Sequence, residues 1–159
     1  MINADILRSL LDYDPNTGVF TWRVARRGGA QRNSVAGSKN RLGYVKIHIC
    51  GKSYWAHRLA WLYIYGVWPS DFIDHINCEA GDNRIANLRI ATNAQNMANR
   101  RKRVFGLPKG VVKNGKKFRA RICVDRKLRC LGTYDTPEEA HAEYCAAAQK
   151  AFGAYHRAG

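Results

Sequence analysis

The sequence predicts an α+β protein built of two small modules, and three observations carry that reading. Apolar spacing switches between the helical and the strand period all along the 159 residues. Clusters of glycine, proline and asparagine punctuate the segments at short intervals, which keeps every element short. Four consecutive bases, Arg100 to Arg103, followed by Gly106-Leu107-Pro108 form the strongest break, dividing residues 1–103 from 104–159. The length is about that of one average domain, which rules out a large multidomain enzyme. With 46% apolar and 11% aromatic residues the chain is too hydrophobic to be a disordered basic tail.

Residues 4 to 12 place Ile6, Leu7, Leu10 and Leu11 on one helical face behind Asn3, an N-cap residue type. Asp14-Pro15-Asn16-Thr17-Gly18 turns the chain, and Val19 to Trp22 reads as a short strand. Tyr44 to Ile49 and Ser53 to Ala56 alternate around Cys50-Gly51-Lys52, which predicts a hairpin, and a helix follows over roughly Arg58 to Tyr65. Gly66 and Pro69 close that helix. Phe72 to Ile76 is short and apolar, Cys78 to Arg84 is polar with a Gly81-Asp82-Asn83 turn, and Leu88-Arg89-Ile90 returns as a strand. Thr92 with Gln95 forms a capping box, so a helix starts there and is expected to run to about Arg103.

Beyond the break, Gly110 to Lys113, Lys117 to Val124 and Lys127 to Tyr134 read as three strands joined at Asn114-Gly115 and Asp125-Arg126. Thr136-Pro137-Glu138-Glu139 then opens a helix reaching about Phe152, with Pro at its first position and acids in its first turn. On the middle strand Phe118, Ala120, Ile122 and Val124 share one face and Arg119 and Arg121 the other. Lys127 and Arg129 are expected to alternate likewise on the next strand. The tryptophans, Trp22, Trp55, Trp61 and Trp68, sit among apolar neighbours and are assigned to the core.

Charge narrows the partner. Lys plus Arg number 27 against 12 Asp plus Glu, a net +15 that repels itself unless a polyanion neutralises it. Nucleic acid is the leading partner. From Arg23 to Arg58 there are nine bases and no acid, and from Asn96 to Gly132 thirteen bases against Asp125 alone. No apolar run approaches the ~20 residues of a membrane span, and the first helix carries Asp5 and Arg8, so no membrane partner and a cytoplasmic location are expected. The five cysteines include no Cys-x-x-Cys pair, which argues against a disulfide framework and against zinc.

One window carries chemistry: Asp74-His75-Ile76-Asn77, then Asn87-Leu88-Arg89, then Asn96. An imidazole titrates near neutrality and can take a proton from water. A carboxylate and an amide oxygen are hard ligands suited to one Mg²⁺ or Mn²⁺, leaving most of its coordination sphere for water and phosphate. Asp82 fits a bracing role as well as a metal role, Asn77 and Asn83 read as turn residues, and His57 serves either a DNA contact or the hairpin-to-helix junction.

With His57-Arg58-Leu59 and Asp82-Asn83-Arg84, these residues resemble the HNH endonucleases of phages and mobile introns, in the variant with Asn where the last His would stand. The likeness spans about Leu11 to Arg101, including Tyr13 to Trp22, and implies a ββα-metal core at about 70–101 of an HNH nuclease domain, 1–103. By the resemblance His75 is the general base, Asp74 and Asn96 hold one metal ion, and Asn87 braces the loop and orients His75. Cys78 stands where the family usually has Gly and strains the tight turn; Glu79 replaces its Asp.

Residues 104–159 resemble the AP2 DNA-binding domain in Gly110-Val111, in Phe118, Ala120 and Ile122, and in Leu131-Gly132-Thr133-Tyr134-Asp135-Thr136-Pro137-Glu138-Glu139-Ala140. The resemblance implies a three-stranded sheet laid on double-stranded DNA with the helix behind. Cys123 and Cys130 occupy positions of the base-reading kind, so no target sequence follows. The expected DNA contacts are Arg58, Arg100, Arg101, Lys102, Arg103, Lys113, Lys117, Arg119, Arg121, Lys127 and Arg129. Together these readings predict a metal-dependent, phage or homing-type DNA endonuclease, a monomer or weak dimer acting in a bacterial or phage-infected cell. The alternative is a catalytically inactive, sequence-specific DNA-binding protein.

Overall fold

In the computed structural model, which describes residues 2–25, 30–100 and 106–157, Asn3 starts the first helix by accepting the Ile6 amide at 2.9 Å. Helix α1 is Ala4–Leu10, and strand β1, Leu11–Asp14, follows without a loop. The helix therefore stops short of the predicted residue 12. Leu11 and Tyr13 are buried while Asp12 and Asp14 are exposed, so strand alternation takes over where the helical stripe would have had to bury an aspartate. Asp14 holds the following turn by accepting from the Asn16 amide at 2.9 Å and the Thr17 hydroxyl at 2.8 Å, and β2, Val19–Trp22, pairs back antiparallel.

Strands β3 (Ser38–Lys39), β4 (Val45–Ile49) and β5 (Lys52–Trp55) form a second small antiparallel sheet, the last two joined by the predicted Cys50-Gly51 turn. Helix α2, Ala56–Tyr65, begins directly at the end of β5 and ends at Gly66, whose φ of 76° lets its amide reach back to the Leu62 carbonyl. Leu7, Leu11, Phe20, Trp22, Ile47, Ile49, Leu59 and Leu62 pack into one core with Ile73 and Leu88. Those last two belong to β6 (Phe72–His75) and β7 (Leu88–Ala91), a paired two-stranded unit mounted on that core. Trp22 is buried and the half-buried Trp61 and Trp68 pack against this core, while Trp55, also half-buried, meets the Tyr44 and His57 rings.

Two compact units result, Met1–Ile90 and Ala91–Gly159. The division falls before the predicted linker because helix α3, Asn93–Asn99, packs on the elements that follow it. The capping box is present: the Thr92 amide donates to Gln95 Oε1 at 2.8 Å and the Gln95 amide to Thr92 Oγ1 at 3.3 Å. The helix ends at Asn99, short of the predicted Arg103: Arg100, at φ −55° and ψ 137°, has left the helical backbone, and residues 101–103 lie outside the described residues. Lys109 ties α3 to this unit, its ammonium donating to the carbonyls of Ala98, Arg100 and Arg157.

Strands β8 (Val111–Asn114), β9 (Lys117–Val124) and β10 (Lys127–Tyr134) make an antiparallel sheet in the order β10-β9-β8, covered on one face by α4, Pro137–Phe152. Val111, Ala120 and Ile122 meet Ala140, Tyr144 and Ala148 of the helix. A register shift between Cys130 and Gly132 corrects one expectation. It sets Arg129 opposite Ile122 and Lys127 opposite Val124, on the helix side of the sheet, while Cys130 takes the place opposite Arg121. The extra residue of the bulge reverses the facing of everything before it. Among the described residues no helix is long and apolar enough to cross a membrane.

Candidate active site

The β6–β7 pair and the polar loop between its strands bring most of the sequence-predicted chemistry together. Asp74 and His75 end β6, and both are buried, at 3% and 6% exposure. Asp74 Oδ2 accepts from Arg89 Nε at 2.8 Å, a charged pair almost out of solvent. The His75 ring stands edge-on to His57 at 5.2 Å between centroids and to Tyr44 at 5.9 Å.

Removal from water sets the ionisation of both imidazoles. Burial drives His57 down to about 3, with the His75 ring and Arg58 adding to the effect. Burial likewise pushes His75 below its ordinary value, against smaller upward pulls from the Asn83 side chain and from Asp74 and Asp82. Both rings are therefore neutral at physiological pH, the state a general base requires.

Asn87 ends a short 3₁₀ turn, Ile85–Asn87, and fastens the loop at several points. Its Oδ1 accepts the Asn77 amide at 3.0 Å; its Nδ2 donates to Asn77 Oδ1 at 3.0 Å and to the Asp82 carbonyl at 2.9 Å. Its own carbonyl accepts the Ile76 amide at 2.9 Å. Asp82 completes the brace, accepting from Arg84 at 2.8 and 2.6 Å and from Asn77 Nδ2 at 2.7 Å, and the Arg84 bonds chiefly hold its carboxyl down at about 2. Cys78 adopts a φ of 61°, the left-handed backbone that a Gly would enter without strain. The Asn83 side chain reaches His75, its Oδ1 lying 3.4 Å from His75 Nε2.

Three of these residues have roles that sequence reasoning missed. Asn83 reads as a turn residue but is 2% exposed; Arg89 has no function assigned in the sequence motif yet pairs with Asp74; and His57, which the sequence assigns either to DNA or to the hairpin-to-helix junction, is buried beside His75. Arg89 was findable, since Leu88-Arg89-Ile90 places a lone base among apolar strand residues beside a strand carrying Asp74. Nothing local separates a buried Asn83 from a turn asparagine.

A cleft of about 550 Å³ borders the loop, with Thr17, Lys39, Glu79 and Arg84 on its walls. The more apolar cavity, about 640 Å³ and lined by Met97, Ile122, Leu128 and Phe152, belongs to the second unit and contains none of the chemical groups above. Asn96 stands half-buried on α3 in that second unit. Among the described residues no group of three or more His, Cys, Asp or Glu converges as metal ligands. The donor set of the first unit, one oriented carboxylate beside neutral imidazoles, fits a hard ion that keeps most of its sphere for water and phosphate oxygens, and not a closed protein cage.

The expected DNA contacts divide into several kinds. Arg58 donates to the carbonyls of Asp71 and Pro69 at 3.0 and 3.3 Å and fastens α2 to the following loop. Lys113, Lys117, Lys127 and Arg129 are exposed, Lys117 pairing with Asp135 at 2.9 Å; Arg119 and Arg121 are half-buried on the sheet face away from α4. Arg100 is exposed, and Arg101, Lys102 and Arg103 lie outside the described residues.

Residues 54–98 match the family model of the HNH endonucleases. The matched stretch runs from the last two residues of β5 through nearly all of α3 and supports a DNA nuclease of a metal-dependent kind. No curated protein matches the chain.

Proposed function

We propose that the protein is an endonuclease that hydrolyses DNA phosphodiester bonds with His75 as general base, and that its second unit is an AP2-like DNA-binding module. The observation that carries the reading is the buried, neutral His75 beside an Asp74 carboxylate oriented by Arg89, inside the stretch that matches the HNH family. His75 takes a proton from water as the water oxygen bonds to phosphorus. The bond to the 3′ oxygen breaks, leaving a 5′ phosphate and a 3′ hydroxyl that draws its proton from solvent. Asp74 would hold one Mg²⁺ or Mn²⁺, with Asn96 as the second oxygen ligand on the strength of the resemblance. Bound there, the ion supplies positive charge against the transition state. Arg89 fixes the carboxylate, and Asn87 and Asp82 keep the loop rigid. A mobile-element or phage setting, of homing type, follows from the same resemblance.

Incubation with supercoiled plasmid tests this reading. Nicking is expected with Mg²⁺ or Mn²⁺, is abolished by EDTA, and is severely reduced in Asp74→Ala and Asn96→Ala. Full cleavage in EDTA overturns the metal assignment. DNA binding without cleavage under every metal condition leaves the binding-protein reading in its place.

A further inference from the structure

We propose that Asn83 is the positioning residue of His75, holding the ring through Nε2, and that the β1–β2 hairpin holds Asn83 in place. The inference rests on the reading of His75 as the base and adds the parts that aim it. Buried amides are found where both of their ends have work, because an unpaired one is costly. Asn83 Nδ2 donates to the Gly81 carbonyl at 3.4 Å, which turns Oδ1 toward His75 Nε2, also at 3.4 Å. Both bonds are long, so what Asn83 contributes is placement more than bond energy.

That placement is enforced from the far end of the sequence. The Tyr13 hydroxyl donates to the Asn83 carbonyl at 2.7 Å in a buried contact, and Tyr13 is itself wedged against Phe20 at 4.7 Å and Tyr63 at 5.6 Å between ring centroids. Gly18, at φ +73°, lets the tip of the hairpin close on the same segment: a Cβ there would lie 2.5 Å from the Asn83 carbonyl carbon and 2.4 Å from the Arg84 nitrogen. Asn83 thus cannot drift without disturbing the hairpin and its core.

The chemical consequence concerns the tautomer. An acceptor opposite Nε2 selects the ring with its proton there and its lone pair on Nδ1. A base with the wrong tautomer is present but inert. Asn87 and Asn83 then divide the labour: Asn87 closes the loop, and Asn83 aims the ring that the loop surrounds.

The test begins with the wild-type full chain. Imidazole ¹⁵N–¹H spectra above pH 7, with His75 assigned by its loss in His75→Ala, should show the Nε2–H tautomer; an Nδ1–H tautomer overturns the inference without any need for a variant to fold. In Asn83→Ala the single-tautomer signature should be lost and the single-turnover cleavage rate should fall roughly 10- to 100-fold, as for other partners that orient a functional histidine, with DNA affinity within about twofold. Asn83→Asp, which keeps an acceptor oxygen for Nε2–H but loses the donor to the Gly81 carbonyl, should retain the Nε2–H tautomer. A folded Asn83→Ala chain with wild-type rate and tautomer overturns the assignment. Wild-type-like nicking by His75→Ala overturns instead the base reading on which the assignment depends.

Discussion

The β6–β7 pair and the β9–β10 pair use the same charged residue types under opposite physical conditions. In the first, Asp74 and Arg89 meet with side chains 4% and 16% exposed, and two imidazoles are stripped of water beside them. In the second, Lys127 and Arg129 stand in solvent, and the Lys117–Asp135 pair has side chains 56% and 77% exposed. Desolvation makes each interaction strong and specific, and costs stability wherever a partner is missing. Exposure makes each one weak, screened and tolerant of substitution. One region fixes a few charged groups in a set geometry, and the other leaves its charged groups in solvent.

His75→Ala should break the comparison most sharply, costing about 10² to 10⁴ in cleavage rate while leaving DNA affinity nearly unchanged, since the base acts on water. Single-turnover kinetics and a binding titration on the same preparation check it, and a loss of affinity as large as the loss of rate would move His75 into the binding surface. Next in size is Arg89→Met, which leaves a buried carboxylate without its cation and should destabilise the first unit by about 3 to 5 kcal/mol. Urea unfolding followed by the fluorescence of Trp22, Trp55, Trp61 and Trp68, all in the first unit, should report it.

Acid should then separate the regions. With its pKa lowered to about 3 from the usual 6.5, His57 stays neutral in the folded chain while the unfolded chain takes up the proton. Its contribution is complete above about pH 6.5 and drains away as pH falls toward 3, at about 1.4 kcal/mol per pH unit. The lowered His75 steepens the same limb. His57→Leu should flatten that limb by about one proton, measured as the pH dependence of urea midpoints for the first unit. The smallest effects belong to the sheet. Arg119→Ala or Arg121→Ala should each reduce the salt slope of log K for DNA by about 0.9 if the side chain meets one phosphate. Lys127→Ala and Arg129→Ala, on the other face, should leave the slope nearer its wild-type value, and equal slopes in all four would remove the face away from α4 as the DNA surface.

Local signals were legible and pairings across the chain were not. The Thr92 and Thr136 caps, the Cys50-Gly51 hairpin and the three-strand-plus-helix order follow from residues a few positions apart, where backbone chemistry decides. Asp74 and His75 were legible because their residue types are scarce in apolar strands, and Asn87 because it stands at the entry to the returning strand. The burial of His57 beside His75 and the contact from Tyr13 to Asn83 join residues 18 and 70 positions apart, and spacing carries no signal for them. The reversed facing of Lys127 and Arg129 turns on one extra residue near Cys130, invisible to a strict two-residue alternation.

The hold of Lys109 on Ala98 and Arg100 bears on how such a protein can be cut and recombined. A fusion that grafted residues 1–103 onto another DNA-binding partner would carry α3 away from the ammonium that ties down its last turn and from the helix it packs against. The matched family stretch ends inside that helix, so a crossover drawn from the family boundary would cut through the packing. The natural seam lies ahead of Thr92, and exchange of the second unit as a cassette would have to take α3 with it.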